Sequence, residues 1–159
     1  MLRDYQPADA EAITRVALAA FAEFERHYSD WPLFMTHVAK MPELAKTGEI
    51  IVAEDGGRIV GAVAYIGAQA PKPEFFDPAW PVIRMLVVDP SARGKGIGRR
   101  LTEECLRRAE RDQSPAIALH TTPIMTVALP MYLRMGFARI GEAPDILGVP
   151  YTVYVKSLA

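Results

Sequence analysis

Cysteine is almost absent from this sequence, since its 159 residues contain only Cys105. A single thiol excludes an internal disulfide framework and a cysteine-based zinc cluster, and we expect no metal site. No apolar run approaches the roughly 18 residues that a membrane-spanning helix needs, and the first residues do not have the pattern of a signal peptide. Half of the residues are apolar, which argues against a disordered chain. The sequence therefore predicts one soluble, cytoplasmic domain over residues 1–159 with no membrane partner.

An excess of either charge is also missing, because 18 basic and 19 acidic side chains give a formal net charge of −1. This balance hides a local asymmetry: residues 1–83 carry a net −5, residues 84–111 a net +4, and residues 112–159 no net charge. Locally concentrated positive charge is typical of a site for an anionic partner. Nucleic acid is disfavoured as that partner, since the whole domain has a pI near 6.3 and no overall basic excess.

Hydrophobic periodicity predicts eleven elements in the order β-α-α-β-β-β-α-β-α-β-β. The strands are predicted at residues 2–5, 49–54, 58–66, 82–88, 116–121, 137–140 and 151–155, and the helices from about Asp9 to Phe24, from Ser29 or Asp30 to Met41, and at residues 96–111 and 126–134. This order predicts an α/β fold of the mixed α+β kind, with a central mixed sheet of six or seven strands and about four helices on its two faces.

Two segments carry more specific predictions. Val82–Val88 is a nearly continuous apolar run, which is typical of a central strand buried on both faces. Residues 67–81 contain four prolines among Phe75, Phe76 and Trp80. That composition predicts an ordered loop rather than a flexible linker.

The basic segment contains three glycines at alternate positions, in Arg93-Gly94-Lys95-Gly96-Ile97-Gly98-Arg99. Glycines let backbone N–H groups approach a ligand, and the first turn of the helix that follows leaves its N–H groups unpaired and partly positive. The segment therefore predicts a phosphate cradle, to which Arg93, Lys95, Arg99 and Arg100 add charge. A P-loop is excluded because Gly-Lys-Ser/Thr does not occur, and a dinucleotide fingerprint fails because Arg99 stands where its third glycine is needed.

Two motifs together resemble the GNAT N-acetyltransferase superfamily. The segment 86–101 is similar to the acyl-CoA signature of that family, through Leu86, Val88, Pro90, Arg93, Gly96, Gly98 and Leu101. The segment 128–137 is similar to a later motif, through Ala128, Met131, Tyr132, Gly136 and Phe137. The motifs lie in the expected order, and the resemblance covers nearly the whole chain. It implies a mostly antiparallel sheet that splays open between the strand ending at Val88 and the strand at 116–121.

The resemblance implies acetyl-CoA as the acyl-donor co-substrate. Main-chain groups of Leu86 and Val88 would pair with its pantetheine arm, and a main-chain N–H near Leu86 or Val87 would polarise the thioester carbonyl. Amides from Arg93 to Arg99 would hold the pyrophosphate. The implied cofactor-binding residues are Leu86, Val87, Val88, Arg93, Gly94, Lys95, Gly96, Ile97, Gly98 and Arg99.

For the chemistry, the resemblance implies that Tyr132 is the general acid that protonates the departing CoA thiolate. A phenol with a pKa of about 10 can donate a proton to a thiolate whose conjugate acid has a pKa of about 8.5. One position departs from the family: Met125 stands seven residues before Tyr132, where an asparagine is frequent. That departure puts one polar contact to the pantetheine arm in doubt.

A general base is not singled out by the sequence. His120, near the end of a predicted strand, is the first candidate, as a base or as part of a water relay. The other candidates are Glu74 and Asp77 on the proline-rich loop and His27, Tyr28 and His37 on the early helices.

The function implied is the transfer of an acetyl group from acetyl-CoA to a primary amine of a small molecule or peptide by direct attack. The alternative is a non-catalytic acyl-CoA-binding sensor, because the asparagine equivalent and an obvious base are both missing. The acidic first half is either a site for a cationic amine or a solvated surface. Family members frequently pair through C-terminal strands, so Gly148–Lys156 is a candidate edge for a homodimer.

Overall fold

Seven strands form one sheet in the order β1-β2-β3-β4-β5-β7-β6 in the computed structural model, which describes all residues from Met1 to Ala159. The strands are β1 Leu2–Asp4, β2 Glu49–Asp55, β3 Arg58–Ile66, β4 Val82–Val88, β5 Ala116–Thr121, β6 Ala138–Ile146 and β7 Val149–Ser157. The helices are α1 Ala10–Phe21, α2 Trp31–Val38, α3 Ile97–Arg111 and α4 Ala128–Arg134. The element order and the fold class predicted from the sequence are confirmed. None of the helices is both long enough and apolar enough to cross a bilayer.

The sheet opens between β4 and β5. These neighbours are the parallel pair of an otherwise antiparallel sheet, and they share one residue pair, Val82 with Ala118. Beyond that pair the two strands diverge. The edge of β4 that faces β5 is therefore left without a partner strand over most of its length.

The middle of β4 differs from the prediction of a strand buried on both faces. Arg84, Met85 and Leu86 are half-buried rather than buried. A register shift against β3 coincides with a left-handed backbone at Met85, whose φ is +56°. Such conformations are unfavourable for a non-glycine residue and are typical of functional sites. The prediction fails because the divergence from β5 exposes side chains that a continuous sheet would cover.

The C-terminal strands form a hairpin that corrects another prediction. Leu147 and Gly148 connect β6 to β7 with positive φ values of 45° and 86°, as a tight two-residue hairpin turn requires. β7 therefore pairs with β5 on one side and β6 on the other, and the prediction that Gly148–Lys156 is an edge is wrong. The outer strand is β6, which extends to Ile146 because Pro144 lies at a register shift that an edge strand tolerates.

The two faces of the sheet bury separate hydrophobic clusters. One cluster lies under α1 and α2, and the other lies under α3 and α4. On α3 the predicted four-residue stripe of Ile97, Leu101, Cys105 and Ala109 is buried. Asp30 begins α2 by accepting a hydrogen bond from the Leu33 N–H at 3.1 Å, which selects it over Ser29 as the cap.

Arg108 joins α3 to the first two strands and provides a test of the fold. Its side chain is 13% exposed and contacts carboxylates of Asp4 at 2.6 Å, Glu49 at 2.8 Å and Glu104 at 3.0 Å. We expect Arg108→Ala to lower the free energy of unfolding by roughly 2 kcal/mol, between the values for exposed and buried ion pairs. Arg107 is 63% exposed and pairs with Glu104 alone. Arg107→Ala should cost less than about 0.5 kcal/mol in the same urea titration, and equal losses would contradict the role of Arg108.

Candidate active site

The glycine-rich segment forms a row of free hydrogen-bond donors. Six consecutive backbone N–H groups, from Gly94 to Arg99, donate to no acceptor of the chain. Gly94 and Gly96 have φ values of +80° and +75°, which turn the backbone into the first turn of α3. The N-terminal end of α3 adds its partial positive charge. This arrangement fits an anion such as a diphosphate.

A groove of about 380 Å³ runs along this row, between β4 and α4. Nine of the ten predicted cofactor-binding residues line it: Leu86, Val87, Val88, Arg93, Gly94, Gly96, Ile97, Gly98 and Arg99. The tenth, Lys95, is not in the lining, and its ammonium group lies 3.1 Å from the carboxylate of Asp55. The guanidinium of Arg93 contacts the carboxylate of Glu23 at 2.7 Å, and Arg93 and Glu23 both line the groove.

A second cavity of about 340 Å³ lies on the α1 and α2 side of the opened sheet. Its lining is mostly apolar and includes Phe21 and Phe34 from the helices. Its polar groups include those of Arg84, His120 and Tyr132. No acidic residue lines this cavity.

The groove and the second cavity meet at four residues: Phe21, Leu86, Met125 and Ala128 line both. Leu86 belongs to the half-buried part of β4, and Ala128 is the first residue of α4. Met125 therefore places a thioether at the junction, at the position where the resemblance implies an asparagine. A molecule held in the groove can extend one end to this junction and contact a molecule in the second cavity.

Tyr132 lies beside the second cavity and not in the groove. It is 5% exposed, and its ring centroid lies 5.7 Å from that of Phe137. Burial raises the pKa of Tyr132 well above its usual value, and the neighbouring Cys105 adds to the shift. The phenol is therefore protonated throughout the physiological range, as a proton donor must be.

His120 stands on β5 among aromatic rings. Its ring centroid lies 5.2 Å from Phe75, 5.5 Å from Phe76 and 5.1 Å from Tyr151, and its Nδ1 atom has no hydrogen-bond partner. Burial, together with the positive charge of Arg84, lowers the pKa of His120 to about 4. The imidazole is therefore neutral at pH 7, and its free Nδ1 can accept a hydrogen bond.

The depressed pKa of His120 predicts a pH dependence of stability. In the unfolded chain this histidine has a pKa near 6.5, whereas in the folded chain it is protonated only near pH 4. Between pH 6.5 and pH 4 the unfolded chain therefore binds more protons than the folded chain. We expect the free energy of unfolding to fall as the pH falls through this window, by a few kcal/mol at about 1.4 kcal/mol for each pKa unit. Denaturant titrations between pH 7 and 4 measure the slope. His120→Gln should flatten it, and an unchanged slope would contradict the assignment.

The remaining base candidates divide according to their position. His37 lines the second cavity, whereas His27, Tyr28, Glu74 and Asp77 do not. Tyr28 instead shares a 2.6 Å hydrogen bond with Tyr151, which does line the cavity. The neighbouring loop packs on His120 through its aromatic rings rather than its carboxylates.

The acidic first half does not form a site for a cation in either cavity. Several of its carboxylates pair with the basic segment instead. The pairs are Asp4–Arg108, Glu23–Arg93, Glu49–Arg108, Glu49–Arg111 and Asp55–Lys95. Of the two interpretations left open by the sequence, the surface interpretation agrees with these contacts.

Arg84 is the charged cavity residue that the motifs did not assign. In the sequence it contributes to the basic segment, and it is the one charged residue inside the apolar strand Val82–Val88. That isolated charge is the one feature of the sequence that could have indicated a functional role for Arg84. Its neighbours cannot be read from the sequence, because they come from β5 and α2.

A sheet opened beside a row of free N–H groups, with a second cavity at the junction, can hold an anionic molecule next to a second, smaller one. The model of the Acetyltransferase (GNAT) family matches residues 11–137. The chain belongs to this family of acyltransferases, and the resemblance noted in its motifs is confirmed.

Three relatives illustrate the similarity. The chain is 38% identical to N-acetyltransferase 8B of Mus musculus over 57% of its own length and 38% of that protein, so it spans well under half of this relative. It is 29% identical to the N-alpha-acetyltransferase RimI of Mycobacterium tuberculosis, over 89% and 85% of the two chains. A solved GNAT family acetyltransferase from Brucella melitensis, in complex with acetyl-CoA, has the same fold, with a TM-score of 0.67 and 22% identity over 100% and 88% of the chains.

Proposed function

We propose that the chain is an acetyl-CoA-dependent N-acetyltransferase that acts on a primary amine of a small molecule or peptide. The observation that carries this proposal is the junction of the donor-lined groove with the second cavity. The groove fits the anionic part of acetyl-CoA because six N–H groups there lack acceptors. The acetyl-CoA complex of the Brucella melitensis neighbour supports the same donor.

The proposed roles follow from where each residue lies. When bound, acetyl-CoA supplies an activated thioester. The backbone from Gly94 to Arg99 binds its diphosphate, and the free edge of β4 at Leu86 and Val88 pairs with its pantetheine arm. A backbone N–H near Leu86 or Val87 stabilises the negative charge that develops on the thioester oxygen.

In the proposed reaction the amine nitrogen forms a bond to the acetyl carbon while the carbon–sulfur bond breaks. Tyr132 donates its phenolic proton to the departing thiolate. The attacking amine gives up a proton to water, and neutral His120 accepts a hydrogen bond from that water, because an imidazole with a pKa of about 4 is too weak a base to hold the proton itself. His120 suits this role because its Nδ1 has no partner and the cavity offers no carboxylate.

A thiol-release assay with acetyl-CoA and a panel of amines tests the proposal. We expect free CoA to form at a rate that depends on the amine and exceeds hydrolysis without it. Isothermal titration calorimetry with acetyl-CoA serves as the control for binding. Tight binding without amine-dependent release would contradict the enzyme and favour the alternative, a sensor, in agreement with Met125 at the junction.

A further inference from the structure

Arg84 is the one fully charged side chain that lines the second cavity. It is half-buried, it belongs to β4, and its guanidinium makes no hydrogen bond or ion pair with the rest of the chain. Burial alone accounts for the lowered pKa of Arg84, since no carboxylate opposes it.

The other half-buried arginines show what this chain does elsewhere with such a group. Arg3 pairs with Asp9 and Glu54, and Arg108 pairs with three carboxylates. A partly desolvated charge without a partner is costly, so its place in a cavity calls for an anion from outside the chain.

The proposed donor does not supply this anion, because Arg84 does not line the groove where the free N–H groups lie. The partner of Arg84 must therefore come with the molecule in the second cavity. Since the cavity has one guanidinium and neutral His120 as its neighbour, its charge matches a single negative charge. A guanidinium binds a planar carboxylate through two parallel hydrogen bonds.

We propose that Arg84 binds a carboxylate of the acceptor, and that the acceptor is an amino acid with an apolar side chain. This inference rests on the proposed function. The cavity volume of about 340 Å³ lies at the small end of ligand pockets, and its walls are mostly apolar. Such a cavity suits one amino acid better than a lysine side chain of a protein, which carries no carboxylate near its amine.

The test compares acceptors that differ only in the carboxylate. Phenylalanine is paired with phenethylamine, and leucine with 3-methylbutylamine, in the thiol-release assay. We expect the wild-type chain to favour the amino acid of each pair by tenfold or more in kcat/KM. Arg84→Met should remove that preference, which is measured as the ratio of kcat/KM within each pair, so that a change in rate common to both members through the neighbouring His120 cancels. Arg84→Lys, which retains the charge, should preserve part of it.

Arg139→Met is the matched control, because Arg139 is exposed on β6 and lines neither cavity. It should keep the full preference. Arg84→Met should also keep or raise the melting temperature, since it removes a charge without a partner. A loss of melting temperature together with equal losses for all four amines would show that Arg84 is structural and would overturn the proposal.

Binding of 3-phenylpropanoate, which has the carboxylate but no amine, separates this inference from the proposed function. Calorimetry should detect binding to the wild-type chain and at least tenfold weaker binding to Arg84→Met. If no amine is acetylated, the proposed function fails, and this measurement still decides the role of Arg84. Equal turnover of both members of each pair, or equal binding of 3-phenylpropanoate to both chains, would overturn the carboxylate site while leaving the transferase activity standing.

Discussion

Replacing Tyr132 with phenylalanine is expected to lower kcat by about 10²-fold, which is within the range of general-acid effects. The change removes only the hydroxyl, so the ring remains packed against Phe137 and the fold is preserved. The dissociation constant for acetyl-CoA should stay within about twofold, because Tyr132 does not line the groove. Single-turnover kinetics and calorimetry measure the two quantities separately.

Tyr154→Phe is the control for this experiment. Tyr154 is buried in the same hydrophobic cluster as Tyr132 but lines neither cavity. Its loss of a hydroxyl should leave kcat unchanged. Wild-type turnover in Tyr132→Phe, or an equal reduction in both variants, would remove Tyr132 from the chemistry.

Gly98→Ala is expected to weaken acetyl-CoA binding by about 10²-fold while leaving the melting temperature unchanged or higher. An added Cβ would sit 3.7 Å from Val88 and 3.8 Å from Leu86, which is ordinary packing, and alanine favours the helix over glycine. The same Cβ enters the groove beside the free N–H groups. The loss of two charge-assisted hydrogen bonds of about 1.5 kcal/mol each accounts for the expected factor.

Gly98→Ala is expected to weaken acetyl-CoA binding without lowering the melting temperature, and this combination distinguishes two explanations. A general defect in folding would lower stability and binding together, whereas an obstructed groove lowers binding alone. Gly67→Ala is the control, since its Cβ would meet nothing within 4 Å and Gly67 lines neither cavity. Undiminished binding of acetyl-CoA to Gly98→Ala would contradict the position of the diphosphate.

The sequence predicted best where local chemistry decides the structure. β4 and β5 have the predicted ends because apolar runs stop at Asp89-Pro90 and after Thr121, and α3 has a strict four-residue stripe. The last hairpin was less predictable: the predicted strand ends at Ile140, whereas β6 continues through Gly141 and Pro144 to Ile146, because an edge strand accommodates both residues. α4 begins at Ala128 rather than Thr126, because residues after Pro123 form turns first.

For the candidate site, the groove was predictable and the second cavity was not. The groove is built from one continuous segment, so the spacing of its glycines carries the information. The cavity combines residues from α1, α2, β4, β5, α4 and the C-terminal hairpin. Whether a carboxylate of the chain lies beside Arg84 depends on how these elements pack, and no local pattern in the sequence predicts that packing.

The single residue pair between β4 and β5 has a mechanical consequence. The sheet consists of two plates, one of four strands and one of three, that touch at Val82 and Ala118. Each plate is stiffened by its own ladders, whereas the two are joined by one residue pair, by the hydrogen bond from the Ala118 N–H to the Pro81 carbonyl at 3.0 Å and by the packing of side chains and helices. A ligand that occupied the gap would contact both plates and would restrict their movement relative to one another at this joint.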